Sequence, residues 1–195
     1  MTFYLGTHQP QWLSTARVPL FVSRRRLAAR KTFPRAAAPW ALDSGGITEI
    51  GMHGRWTLSA REYVREVRRY SEEIGAPDFA APQDWMCEPV MLKKTGLSVQ
   101  KHQLNTTANY LKLRSIAPDL PFIPVLQGWS LWDYWRHADQ YQALGVDLAA
   151  LPRVGVGTVC RRQGTLVAHN ILTTLAATGM RLHAFGFKTQ GLIRS

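Results

Sequence analysis

Short apolar, β-prone runs recur along the chain at Val18–Val22, Pro39–Leu42, Pro77–Ala81, Pro121–Leu126, Arg153–Val156 and Leu182–Phe187. Between the later runs the apolar positions switch to helical spacing. Ser59-Ala60-Arg61-Glu62 reads as a capping box, followed by Tyr63, Val67, Tyr70 and Ile74 on one face and closed by Gly75. Ser130 opens a second helix with Leu131, Trp135, Ala138 and Tyr141 on one face and Gly145 after its end. Further helices are predicted from Thr165 to Thr178, and between Ser98 and Ile116 on Leu104, Ala108 and Leu111. Strands alternating with helices predict an α/β fold of parallel β/α units. A closed (β/α)8 barrel typically needs about 250 residues. The chain has 195 and offers about six units, so a doubly wound open sheet suits the length better, and periodicity alone favours neither.

Composition narrows the class. Hydrophobic residues make up 46% and charged residues 19%, enough apolar surface for a buried core and in keeping with one domain. No apolar run approaches the roughly 20 residues of a membrane helix, and Met1-Thr2-Phe3-Tyr4-Leu5-Gly6 lacks the charged-then-apolar pattern of a secretory signal. Two cysteines, Cys87 and Cys160, make neither a disulfide framework nor a metal cluster. A reducing, cytoplasmic setting is expected. The histidines (His8, His53, His102, His137, His169 and His183) have no ligand spacing, so no metal site is expected.

Charge adds a partner class. The net charge is +11 and the pI is near 10.3. Residues 1–42 hold seven bases and no acid, residues 148–195 six bases and no acid, and the middle of the chain is mildly acidic. Two basic ends around an acidic middle fit a polyanion-facing rim around a polar pocket. A generally basic protein with solvated arginines is the plainer alternative. The stretch Arg24–Ala38 reads as a basic surface excursion.

Candidate chemistry sits where the predicted strands end, the place parallel β/α folds bind ligands. Strand two runs into Asp43-Ser44-Gly45-Gly46, strand three spans Asp78 to Asp84, strand four ends in Gln127-Gly128, strand five in Gly157-Thr158 and strand six in Phe185-Gly186. Carboxylates, an amide and glycines suit a planar heterocycle with several donors and acceptors. Each segment also has a structural reading, as a turn or a cap. Val154-Gly155-Val156-Gly157 lacks the third glycine of a phosphate-binding fingerprint.

The order of these segments resembles the tRNA-guanine transglycosylase superfamily, (β/α)8 barrels that exchange guanine for a 7-deazaguanine without cutting the backbone. Asp43-Ser44-Gly45-Gly46, the pair Asp78 and Asp84, Val125-Leu126-Gln127-Gly128, Val156-Gly157-Thr158-Val159 and Ala184-Phe185-Gly186 carry the resemblance. Ala80-Ala81-Pro82-Gln83-Asp84-Trp85-Met86-Cys87-Glu88-Pro89, Val18–Arg26 and Phe185–Leu192 are more similar still to the deazapurine DNA-modification (DpdA-like) branch, known from phages and genomic islands. The resemblance implies a TIM-type barrel and DNA as partner, with tRNA as the alternative substrate. It implies general acid/base work for Asp43 and base recognition by Asp84, Gln127, Gly128, Gly157 and Thr158, with Phe185 packing on the base. Arg24, Arg25, Arg26, Arg30 and Lys31 would hold the nucleic-acid backbone.

The same resemblance implies departures. The family's nucleophilic aspartate would fall beyond Ser195, as would two βα units and the zinc site of the tRNA enzymes, so no cofactor is expected within residues 1–195. The expectation is therefore a single, incomplete barrel domain: a fragment, half of a split enzyme completed by a second chain, or a degenerate copy. A nucleic-acid-binding subunit without catalysis is the reading from another class. Thr158 stands where the family has glycine and is expected to narrow the approach to the base.

Overall fold

A computed structural model of the protein describes residues 2–162 and 164–186. In chain order the elements are β1 (Leu5–Thr7), β2 (Leu20–Ser23), α1 (Arg24–Leu27), β3 (Trp40–Asp43), α2 (Gly46–His53), α3 (Ala60–Glu73), α4 (Pro89–Thr95) and α5 (Val99–Ile116). They continue with β4 (Val125–Leu126), α6 (Leu131–Ala143), β5 (Val154–Val156), α7 (Leu166–Ala176) and β6 (Leu182–Ala184). The chain forms two compact units, Met1–Gln83 with Asn109–Phe122 and Asp84–Ala108 with Ile123–Ser195. Each holds one three-stranded parallel sheet, β1-β2-β3 in the first and β4-β5-β6 in the second. Strand order follows chain order in both sheets, without the reversal that defines a doubly wound sheet. The fold is mixed α/β, and no barrel closes among the described residues.

In the first unit the parallel pairing runs past β3 through two single bridges, Leu42 to Ala80 and Ala80 to Phe122. The runs Pro77–Ala81 and Pro121–Leu126 are thus shorter than the sequence predicts. Pro77, Pro82, Pro121 and Pro124 have no N–H to give a ladder, so only single residues and the two-residue β4 pair. Trp40, Leu42, Leu20 and Val22 from the sheet meet Tyr63, Val67 and Tyr70 of α3 and its C-cap Ile74 in one buried cluster, each such side chain contributing about 1.5–3 kcal/mol. The start of α3 is fixed by its capping box: Ser59 Oγ accepts from the Glu62 N–H, and the Ser59 N–H donates to Glu62 at 2.9 Å.

The basic stretch after β2 lies at the surface, as the sequence predicts, and is anchored to the core at a few points. It opens as α1, whose Leu27 is buried in the core, and its Phe33 meets the Tyr70 ring edge-on at 5.3 Å. In the second unit Val125, Leu126, Val154 and Val156 are buried, as are Tyr134 and Tyr141 of α6 and Ile171 and Leu175 of α7. α4 has the asymmetry of a proline at its first turn and a left-handed glycine, Gly96, after its last.

Candidate functional site

The second unit gathers four of the sequence-predicted residues. Asp84 lies just beyond the Ala80 bridge, Gln127 follows β4, and Gly157 and Thr158 follow β5. The Gln127 Nε2 donates to Asp84 Oδ2 at 2.6 Å, and Thr158 Oγ1 donates to Gln127 Oε1 at 2.6 Å. All three are buried. Gly157 is required by this arrangement: a Cβ there would sit 2.2 Å from Gln127 Nε2. The sheet delivers amide, hydroxyl and bare backbone to one place because β4 and β5 are parallel neighbours ending in register, Leu126 opposite Val156.

Thr158 has φ 59, the one positive value among the described non-glycine residues. A β-branched residue in the left-handed region is strained by about 1–3 kcal/mol, and its hydroxyl explains what holds it there. Besides donating to Gln127, Thr158 Oγ1 accepts from the Cys87 N–H at 2.9 Å. Glu88, also buried, stands next along. Its carboxyl is pushed above its usual range by burial, against opposing contributions from its hydrogen bonds and from Arg161 and Arg162. Burial likewise pushes the Cys87 thiol up, so it is protonated and unreactive at neutral pH. The threonine therefore supplies a hydroxyl that ties the loop after β5 to the segment carrying Asp84.

A second layer fixes Gln127. Its backbone N–H donates to His137 Nδ1 at 2.9 Å, and the other ring nitrogen lies 3.0 Å from Thr107 Oγ1. A backbone N–H can only donate, so Nδ1 carries no proton and the ring is the neutral Nε2–H tautomer. Burial, the dominant cause, lowers the His137 pKa to about 3. Gln103 Nε2 donates to the carbonyls of Gln127 and Asp133 at 2.7 and 2.8 Å, and the Tyr134 phenol donates to the Gly157 carbonyl at 2.7 Å. Gly128 packs against α6, where a Cβ would come within 2.8 Å of Asp133.

Phe185 lies against the backbone of Gly155, where a Cβ would be 2.6 Å from its ring, and meets His183 edge-on at 5.1 Å. The rest of its motif, from Phe187 to Leu192, lies outside the described residues.

Asp43 belongs to the first unit, at the end of β3 opposite Ser23 of β2. Burial raises its carboxyl pKa, against hydrogen bonds from Ser23 and the Gly45 N–H. Gly45 takes φ 78 to turn the chain into α2, a conformation glycine adopts without strain. The basic residues are differently employed. Arg24 is held by Glu66 through two bonds of 2.5 and 3.0 Å. Arg25 lies 3.7 Å from the Glu49 carboxylate, which Thr57 also engages through its N–H and hydroxyl. Arg25, Arg26 and Lys31 are exposed and Arg30 is half-buried. Asp78 accepts from the Tyr4 phenol at 2.5 Å.

Sequence reasoning missed Glu88, His137, Gln103 and Tyr134. The signal for two of them was present, because Tyr134, His137 and Tyr141 recur at helical spacing on the buried face of α6. Among the described residues no group of three His, Cys, Asp or Glu could hold a metal ion, and no helix is long and apolar enough to cross a membrane. Compared with known families, residues 1–194 match the model described as DpdA, DeoxyPurine in DNA protein A. No curated protein matches the chain.

Proposed function

The chain belongs to the DpdA family, and on that premise we propose that it is a cytoplasmic base-exchange transglycosylase that replaces guanine in DNA by a 7-deazaguanine. The observation that supports this most is the buried chain Asp84–Gln127–Thr158. Guanine presents two adjacent donors, N1–H and the 2-amino group, which a carboxylate such as Asp84 accepts in parallel. Its O6 and N7 are acceptors, suited to the second N–H of the Gln127 amide. Adenine offers the opposite polarity along the same edge, so Asp84 would discriminate against it. Phe185 supplies a flat apolar contact on the base. A base enters such a pocket only after leaving its stack, so a duplex would be opened locally.

Asp43 is assigned proton transfer. A carboxyl whose pKa is raised by burial keeps a proton to higher pH. By the family resemblance it would give that proton to the departing guanine as C1′ passes from the base to a carboxylate nucleophile, and take a proton back from the incoming base as that base displaces the carboxylate. Arg25, Arg26, Arg30 and Lys31 are assigned to phosphates, which fix position without reading sequence. Arg24 serves them indirectly, locked to Glu66. The frame we propose for the enzyme is of the (β/α) barrel type. Parallel sheets in consecutive strand order, with helices between strands, fit that winding.

The test is titration of guanine and of 7-deazaguanine into the wild type, Asp84→Asn and Asp84→Ala. Loss of two neighbouring charge-assisted bonds is expected to weaken binding by at least about 100-fold, with the fold retained in Asp84→Asn by far-UV circular dichroism. Unchanged affinity would show that Asp84 does not read the base. Competition between duplex DNA and tRNA tests the substrate: preference for tRNA would overturn the DNA assignment.

A further inference from the structure

Beside the Gln127–Thr158 pair lies a surface that neither the base contacts nor the proton transfer uses. Trp129 is 39% exposed and Trp132 is 71% exposed. The Arg162 guanidinium lies over the Trp129 ring, 4.3 Å from its centroid, and donates to the Trp129 carbonyl at 2.5 Å. The same guanidinium donates to the Thr158 carbonyl at 3.2 and 3.0 Å and to the Tyr134 phenol at 3.3 Å. From below, the N–H groups of Trp129 and Ser130 donate to the Asp133 carboxylate at 3.0 and 2.8 Å, and Arg136 pairs with that carboxylate at 2.7 Å. The Trp129 ring is thus held beside the Thr158 carbonyl, and Trp132, three residues on in the first turn of α6, offers a second exposed indole. Hydrogen bonds make the Trp129 segment continuous with the Gly157–Thr158 loop.

We propose that Trp129, Trp132 and Arg162 form a stacking rim for the nucleotide next to the one whose base occupies the pocket. This rests on the reading of that pocket as a base site. Extracting one base leaves its neighbour with an unstacked face, and an exposed indole offers that face a replacement whatever the base's identity. Arg162 polarises one indole and adds positive charge beside it. Residues 148–195 carry no acid to oppose a phosphate. An unpaired strand of nucleic acid, flat bases on a polyanionic backbone, is the partner with both complementary features.

Fluorescence anisotropy of a labelled single-stranded DNA oligonucleotide, at several salt concentrations, tests the rim. Trp132→Ala is expected to weaken binding about ten-fold, within the range for losing one stacked base. The slope of affinity against salt should not change, since no phosphate contact is lost. Trp132→Phe should recover most of the loss, and Trp12→Ala, which removes a 42% exposed tryptophan of the first unit, should have no effect. Guanine affinity should be the same in Trp132→Ala as in the wild type. Wild-type strand affinity in Trp132→Ala, or an equal loss in Trp12→Ala, would overturn the rim while guanine binding left the pocket reading standing. Failure of the wild type to bind guanine would remove the pocket reading, and the rim with it.

Discussion

The two units are built on opposite terms. Buried polar side chains in the first are Thr7, Ser44, Glu49 and Gln83, while the second buries Asp84, Glu88, His102, Gln103, Thr106, Thr107, Gln127, His137 and Thr158. The first unit's interior is an apolar cluster from Leu13 to Phe122. The second's is a hydrogen-bonded lattice in which most polar groups are matched, His102 between the Met86 carbonyl and Thr95 at 2.7 Å to each, for instance, while Trp85 Nε1 and Arg136 Nε are buried without a hydrogen-bond partner. Burying a polar group without a partner costs about 1–3 kcal/mol, so a lattice this dense is stable only when nearly complete. A protein that needed only a core would have used the first solution twice. The polar interior coincides with the base site proposed here.

The comparison can be broken most forcefully at the first unit's core. Leu113→Ala, at a fully buried site, is expected to cost about 2–5 kcal/mol by denaturant unfolding, with guanine affinity per folded molecule unchanged. Gly157→Ala should do the reverse. Its Cβ would collide with the Gln127 amide at 2.2 Å, costing about 1–3 kcal/mol and abolishing guanine binding in titration calorimetry. Parallel losses of stability and binding in both variants would erase the division of labour.

Acidity sharpens the contrast next, because the titrating groups concerned lie in the second unit. His137 is neutral and buried with its pKa lowered from 6.5 to about 3. Its contribution is therefore present above pH 6.5 and lost as pH falls toward 3. Glu88 has the opposite sign. Its raised pKa means stability is greatest below its ordinary 4.5 and is lost as pH rises through the folded value. Unfolding across pH should show Glu88→Gln removing the high-pH loss and His137→Gln removing the low-pH loss. Identical pH profiles in both variants would contradict these assignments. The smallest effect belongs to Ser59→Ala, which removes one helix cap at about 1 kcal/mol and should leave guanine binding untouched.

What was legible in the sequence follows the same divide. The capping box at Ser59 and the spacing of Tyr63, Val67 and Tyr70 announce α3, because an apolar stripe is a periodic signal. The ends of β3, β4 and β5 are legible too, since Asp43 closes its strand and Gln127 and Gly157 follow directly on theirs. β1 was missed because Leu5–Thr7 is too short for alternation to register. α2 was missed because Asp43-Ser44-Gly45-Gly46 reads as a turn, although the left-handed Gly45 leads into a helix. The lattice behind Gln127 is harder to read, since His137, Gln103 and Thr107 meet only after α5 and α6 fold, and hydrogen bonding leaves no periodicity. Arg24 reads in the sequence as one more of the basic run, and its pairing with Glu66 at 12% side-chain exposure is not legible there.

The most direct measurement of the central claim is calorimetric titration of the whole chain with guanine and, separately, adenine. A carboxylate at Asp84 and an amide at Gln127 predict guanine binding with adenine weaker by at least about 100-fold, roughly 2.7 kcal/mol of discrimination. Equal affinity for the two purines, or binding of neither, would contradict the account.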